Sequence, residues 1–253
     1  MKLFSKIAIG FLIYLIFMVV LFPARIAVAL APLPAGVQLS GVSGSLWQGQ
    51  AELAQLGARQ LQQLSWQLSP WALLTGSVQA QLQLGDRSTA VNGKGLVTWS
   101  TAGVSARNLR LDAPLSFLVG NRQLPLKTVL SGDVSLLLDN AVQGQPWCTA
   151  LNGKLFLNQI GLDNQFGNYP LGNIEFTLQC IQGQLQLATD DQKNAIGVAG
   201  TILLKGNSQM EVNGRMRRTD AQSKDLQDSL GLLGKPDASG NYPLKYKGRI
   251  LGM

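Results

Sequence analysis

Hydrophobic and polar residues alternate along most of this chain, and the one long exception comes first. From Ile7 to Phe22 the sequence is apolar throughout apart from Gly10 and Tyr14. Pro23 and Arg25 close the run, and a second apolar stretch extends from Ile26 to Leu33. Such a run predicts a transmembrane helix over residues 7–23, short beside the ~20 residues a span usually takes, with Lys6 and Arg25 extending its reach by snorkelling. A cleaved signal peptide is the alternative, because Ala27-Val28-Ala29 and Ala29-Leu30-Ala31 both offer small-x-small sites. Arg25 stands between the apolar core and those alanines, and Pro32 would come directly after the second scissile bond, so the sequence favours a retained anchor. Lys2 and Lys6 precede the run, which places residues 1–6 in the cytoplasm and exports the chain beyond the helix. A linker over 24–35 then leads to a β-rich domain over 36–253.

Past residue 35 the dominant period is two. Val78, Ala80, Leu82 and Leu84 alternate with glutamines, and Leu64, Trp66 and Leu68 alternate with Ser65 and Gln67. Ile174, Phe176, Leu178 and Cys180 share a face, as do Met210, Val212 and Met216. Each run predicts a half-buried antiparallel strand with one wet side. The unit apolar-x-Gly-x-apolar recurs around Gly44, Gly76, Gly132, Gly153, Gly183, Gly200 and Gly248. Glycine on an apolar face lets a sheet bend, so the fold class expected is mainly β: a strongly curved antiparallel sheet after one transmembrane helix. About half of these glycines, Gly183 first, are equally well read as hairpin turns. Two short helices interrupt the strands. Pro70–Leu74 is long enough for one turn. Thr219 with Gln222 offers a capping box, and Leu226, Leu230 and Leu233 fall at i, i+4 and i+7 before Gly234 and Pro236, predicting a helix over 219–234 that plugs one end of the sheet.

Composition narrows the chemistry. Charged residues make up 14% of the chain, well below the usual ~25%, and there is no histidine. The commonest general base and metal ligand is therefore missing. The 14 acidic residues are scattered, and Asp133, Asp139 and Glu175 read as turn or surface positions, so neither catalysis nor a cofactor is expected. A net charge of +7 without aromatic residues interleaved in a basic helix points away from nucleic acid and toward a membrane surface or an acidic protein. Cys148 and Cys180 are the only cysteines, with no C-x-x-C or histidine near them, and predict a disulfide in an oxidising compartment; two unrelated buried thiols are the alternative. In the last strand Leu244, Tyr246, Gly248 and Ile250 face one way while Lys245, Lys247 and Arg249 face the other. Edge protection accounts for that pattern and is the favoured reading; a basic face that binds an acidic partner or anionic lipid is the other.

Several segments in series resemble a known family. The N-terminal anchor, Gly41-Val-Ser-Gly-Ser-Leu-Trp47-Gln-Gly49, Leu64-Ser-Trp66, Ser69-Pro70-Trp71, Leu74-Thr-Gly76, Leu130-Ser-Gly132-Asp-Val134 and the spaced cysteine pair look like the type II secretion system protein N family, over essentially the whole chain. The resemblance implies a bitopic inner-membrane protein with a periplasmic β-rich domain, in the apparatus that moves folded proteins from the periplasm across the outer membrane. It carries no catalytic motif. Partners would be other secretion-system subunits, of the inner-membrane platform or the secretin, and the lipid bilayer around the N-terminal helix. The glycine-punctuated sheet is also similar, in pattern only, to AsmA-like (β-taco) lipid-transfer proteins, which would imply a bound lipid in an apolar groove. A packed, sandwich-like β fold is the remaining architecture.

Overall fold

The computed structural model describes residues 2–31, 36–57, 59–86, 88–120, 127–206 and 208–249. Leu33 and the rest of residues 32–35, within the predicted linker, and Ile250, at the end of the last alternating run, lie outside them. The chain divides into two compact units, residues 1–101 and 102–253. In both, strands pair antiparallel and essentially in chain order, and no second sheet packs on the first among the described residues. The protein is mainly β with a few short helices.

The first unit opens with helix α1 (Lys2–Val20), 19 residues long. Its side chains from Ile7 to Val20 are exposed on every face. No helix among the described residues is long and apolar enough to cross a membrane. Pro23 has no N–H to continue the helix, and α2 (Ala24–Leu30) starts immediately behind it. Two carbonyls at the end of α1 are taken up by a later segment: Trp47 Nε1 donates to Val19 O at 2.9 Å, and Leu46 N donates to Phe22 O at 2.8 Å. Pro23 and Ser45 form a β-bridge beside them. Arg25, read from the sequence as a snorkelling flank, donates its Nε to Val42 O at 2.8 Å.

Strands β1 (Val37–Ser40), β2 (Ser43–Gly44), β3 (Gln48–Leu56), β4 (Arg59–Leu68), β5 (Val78–Leu84) and β6 (Asn92–Ser100) come next, with α3 (Pro70–Leu74) between β4 and β5. The predicted one-turn helix at Pro70 coincides with α3, because proline at the first helical position already holds the required φ. Ala24 and Val28 of α2 pack with Val42, Ala51, Leu64 and Trp66 into a small core. Gly49 sits under the Trp66 ring, where a Cβ would lie 2.3 Å from Cζ2, so only glycine fits.

The second unit runs β7 (Gly103–Pro114), α4 (Leu115–Val119), β8 (Val129–Gln143), β9 (Cys148–Asn164), β10 (Gly167–Ile181), β11 (Gln184–Thr189), β12 (Val198–Lys205), β13 (Gln209–Arg217), α5 (Lys224–Ser229) and β14 (Asn241–Arg249). Helix α4 has no counterpart in the sequence reading. Ile174, Phe176 and Leu178 of β10 are buried as the alternation requires. They belong to a sheet that curls around Ile196, Met216, Leu226 and Leu230, with Leu155, Leu157, Val198, Ile202, Tyr242 and Leu244 packed at the margin. Cys148 and Cys180 are bonded, their Cα atoms 6.1 Å apart, joining the start of β9 to the end of β10.

Glycine serves three different ends. Gly183 turns the hairpin between β10 and β11 at φ 79°. Gly153 is buried in β9, where a Cβ would come 2.4 Å from Leu137 O and 2.7 Å from Leu138 Cδ2, so the neighbouring leucine fills the space. Gly132 interrupts the β8–β9 register between Ser131 and Asp133, so the bend there comes from a bulge and not from a missing side chain alone.

The expected helix over 219–234 is shorter than the sequence pattern suggests. Only half of the capping box forms. Gln222 Oε1 accepts from Thr219 N at 3.1 Å, while Thr219 Oγ1 donates instead to Ala195 O at 2.8 Å. The helix begins at Lys224, with Ser223 as its cap accepting from Leu226 N, and a 3-10 helix (Leu230–Leu233) succeeds it. The buried amide of Gln222 holds the chain out of helix by donating to Ile196 O and Arg217 O, both at 2.8 Å. Leu226 and Leu230 still face inward, so the segment covers the inner face from β10 to β14.

Candidate partner-binding face

The turn into β14 is built by one carboxylate. Asp237 Oδ1 accepts from Ser239 N at 2.8 Å and Asn241 N at 2.9 Å, and Asp237 N closes the turn onto Asn241 O. The backbone bond from Asn241, helped by the Asn241 side chain, holds the Asp237 carboxyl below its ordinary value. Strand β14 then pairs with β13 alone, so one of its edges carries unpaired backbone groups among the described residues.

Register decides what else shares the face of Lys245, Lys247 and Arg249. These three lie opposite Asn213, Glu211 and Gln209 of β13, whose partners on β12 are Thr201, Leu203 and Lys205. Residues directly opposite one another point to the same side of a sheet. The three sequence-predicted cations are therefore brought together on the outer face, all exposed, and Lys205 and Arg215 join them from β12 and β13. Lys205 Nζ donates to Glu211 Oε2. That bond, with further ones from Asn213 and the charge of Lys247, holds the Glu211 carboxyl below its ordinary value, so it stays ionised and balances part of the strip. None of Lys245, Lys247 and Arg249 forms a salt bridge among the described residues, whereas Arg217 is paired with Asp191 at 3.4 Å. Alternation against the Met210–Val212–Met216 face is the signal that could have added Arg215 to the three cations. Lys205 carried no such signal, since it joins the strip only through strand pairing.

Of the isolated acids, Glu175 makes a cross-strand ion pair with Lys154 at 2.8 Å. Among the described residues no three His, Cys, Asp or Glu side chains are grouped to hold a metal ion. What fold and face define is a mainly β protein whose last strands carry a basic outer face.

Residues 35–245 match the family described as type II secretion system (T2SS), protein N. The chain is 36% identical over 254 residues to the type II secretion system protein N of Aeromonas hydrophila, covering 99% of this chain and 100% of that protein. It is 27% identical over 233 residues to the protein of the same name in Vibrio cholerae, covering 92% of each. With that of Pectobacterium carotovorum subsp. carotovorum the identity is 23% over 261 residues, covering 99% of this chain and 100% of that protein. The chain belongs to the type II secretion system protein N family. No solved structure matches it.

Proposed function

We propose that this chain is a non-enzymatic subunit of the type II secretion system, tethered to the inner membrane by α1, with residues 1–6 cytoplasmic and its β body in the periplasm. There it supports export of folded proteins across the outer membrane, and the basic face of β12–β14 receives an acidic segment of another subunit. The exposed apolar surface of α1 and a disulfide suited to an oxidising compartment support the tethered, exported arrangement. At about 1.5 Å per residue, the part of α1 beyond residue 6, Ile7 to Val20, rises roughly 21 Å, short of the ~30 Å of a hydrocarbon core, and snorkelling by Lys6 makes up part of the difference.

One observation carries the docking reading. Lysines on an edge strand guard against unwanted pairing, but Arg215 extends the basic face onto β13, which is paired on both sides, where edge protection requires no charge. Reversing sign separates the two roles, because a glutamate guards an edge as well as a lysine does. Replacing Lys245, Lys247 and Arg249 together by glutamate leaves a charged edge and removes the attraction. Secretion of the system's substrates by cells carrying this variant as their only copy should fall severalfold at unchanged protein level. Undiminished secretion would leave edge protection as the whole role of these residues. Protease treatment of spheroplasts tests the topology: the body should be digested, and its protection would refute export.

A second reading, lipid handling, draws on an open depression of about 550 Å³ in which Val129, Ile160, Leu162 and Pro170 lie among polar Ser131, Gln159, Asp163 and Asn168. Lipid extraction of protein purified in mild detergent tests it, and absence of co-purifying lipid would end it.

A further inference from the structure

Helix α1 ends at Val20, but the exposed apolar surface does not end with it. Leu21 is 66% exposed, and across Pro23 it is continued by Ile26 and Leu30 of α2 at 48% and 75%. The two faces of α2 are cleanly divided. Ala24 and Val28, one turn apart, pack into the small core of the first unit, while Ile26 and Leu30, also one turn apart, lie on the opposite side facing away from it. Between α1 and α2 runs an apolar groove of about 400 Å³, with Tyr14, Phe17, Met18, Leu21 and Ile26 among its walls. Trp47, whose indole N–H is bonded to Val19 O, and Arg25, whose Nε is bonded to Val42 O, tie these two helices to the segment that follows them.

From this we infer that α2, with Leu46 and Trp47, forms a collar lying in the lipid interface, and that bilayer lipid fills the groove between α1 and α2. The inference rests on the reading of α1 as a membrane anchor. Three features favour lipid as the occupant. The apolar surface is continuous with that of α1, with no polar residue at its outer face between Leu21 and Ile26 except Arg25. Trp47, bonded at the last turn of α1, and Arg25, five residues past the end of that helix, are of the residue types that prefer the headgroup region. A span that is slightly short is completed by apolar surface at its exit, which an in-plane helix supplies. The bonds of Leu46, Trp47 and Arg25 to Phe22, Val19 and Val42 make the attachment of the first unit stiff at the membrane surface, in place of a free tether.

Depth measurement with nitroxide labels tests this on the full chain. The two native cysteines are bonded to each other, so one introduced cysteine is the sole labelling site. Phe11→Cys, Ile26→Cys, Leu30→Cys and Gln48→Cys all replace exposed residues, and each protein is reconstituted into vesicles of phosphatidylethanolamine and phosphatidylglycerol. The ratio of collisions with oxygen to collisions with a neutral nickel chelate reports immersion. The expected order is Phe11 deepest, Ile26 and Leu30 intermediate and severalfold above Gln48, and Gln48 aqueous. Phe11 immersed with Ile26 and Leu30 as aqueous as Gln48 would overturn the collar and leave the anchor standing. Phe11 as aqueous as Gln48 would overturn the anchor reading and the collar with it.

Discussion

The side chain of Gln222 gives the sharpest test of how the second unit is held closed. It is 5% exposed and makes three hydrogen bonds to backbone groups in three segments: Ile196 O before β12, Arg217 O at the end of β13, and Thr219 N in the loop leading to α5. Gln222→Met keeps the length and most of the volume and removes all three bonds. At about 1 kcal/mol net per bond, the loss is about 3 kcal/mol, with most of the cost arising because the abandoned groups are buried. Gln222→Glu is expected to be worse, since the two donated bonds become a carboxylate oxygen facing two carbonyls. Hydrogen exchange read by mass spectrometry on peptides covering 195–198 and 217–230 is the appropriate assay, because it reports opening of these segments separately from global unfolding. A loss of about 3 kcal/mol corresponds to roughly a hundredfold faster exchange there. A change of less than about threefold for Gln222→Met would refute the reasoning, and would mean that packing of Leu226 and Leu230 alone seats the helix.

Three further outcomes are expected from the same packing. Leu230 is 1% exposed and Leu232 87%, so Leu230→Ala should cost about 2–5 kcal/mol in urea unfolding and Leu232→Ala no more than about 0.5 kcal/mol; similar costs would contradict the inward placement of the 3-10 turn. Replacing both Cys148 and Cys180 by serine opens a crosslink between residues 32 apart and should cost roughly 3 to 4 kcal/mol, with reductant lowering the melting temperature of the native chain but not of the variant. Because the Asp237 carboxyl is held below its ordinary value of 3.8 by its bond from Asn241 N, the turn into β14 is fully stabilised above that value and loses the contribution as pH falls through the lower folded one. An NMR titration of the carboxyl should give a midpoint under 3.8, and a midpoint at or above it would refute the assignment.

The attachment of α1 bears on how the proposed function would work. A unit joined by a flexible linker samples many orientations, whereas, on the proposed anchoring by α1, the first unit, held by Arg25, Leu46 and Trp47, would present its own surfaces at a set height. On the proposed contact role that matters, since orientation lost on binding opposes affinity.

Local chemistry was legible in the amino-acid sequence wherever it acts over a few residues. Alternation placed Ile174, Phe176 and Leu178 on one buried face, Pro70 marked the start of α3, and the serial motifs together with the cysteine pair pointed to the family and to the disulfide. Period-two and period-3.6 patterns depend only on near neighbours, so they survive without a fold. Tertiary structure decided the rest. Thr219 and Gln222 have the spacing of a capping box, yet Gln222 is drawn to Ile196 and Arg217 and the helix starts five residues later than Thr219. Lys205 joins the basic face solely through pairing across β13, and Gly132 acts as a bulge because of where β9 runs. Each of these depends on which strand lies beside which, and at what register, a relation between distant parts of the chain that no local pattern encodes.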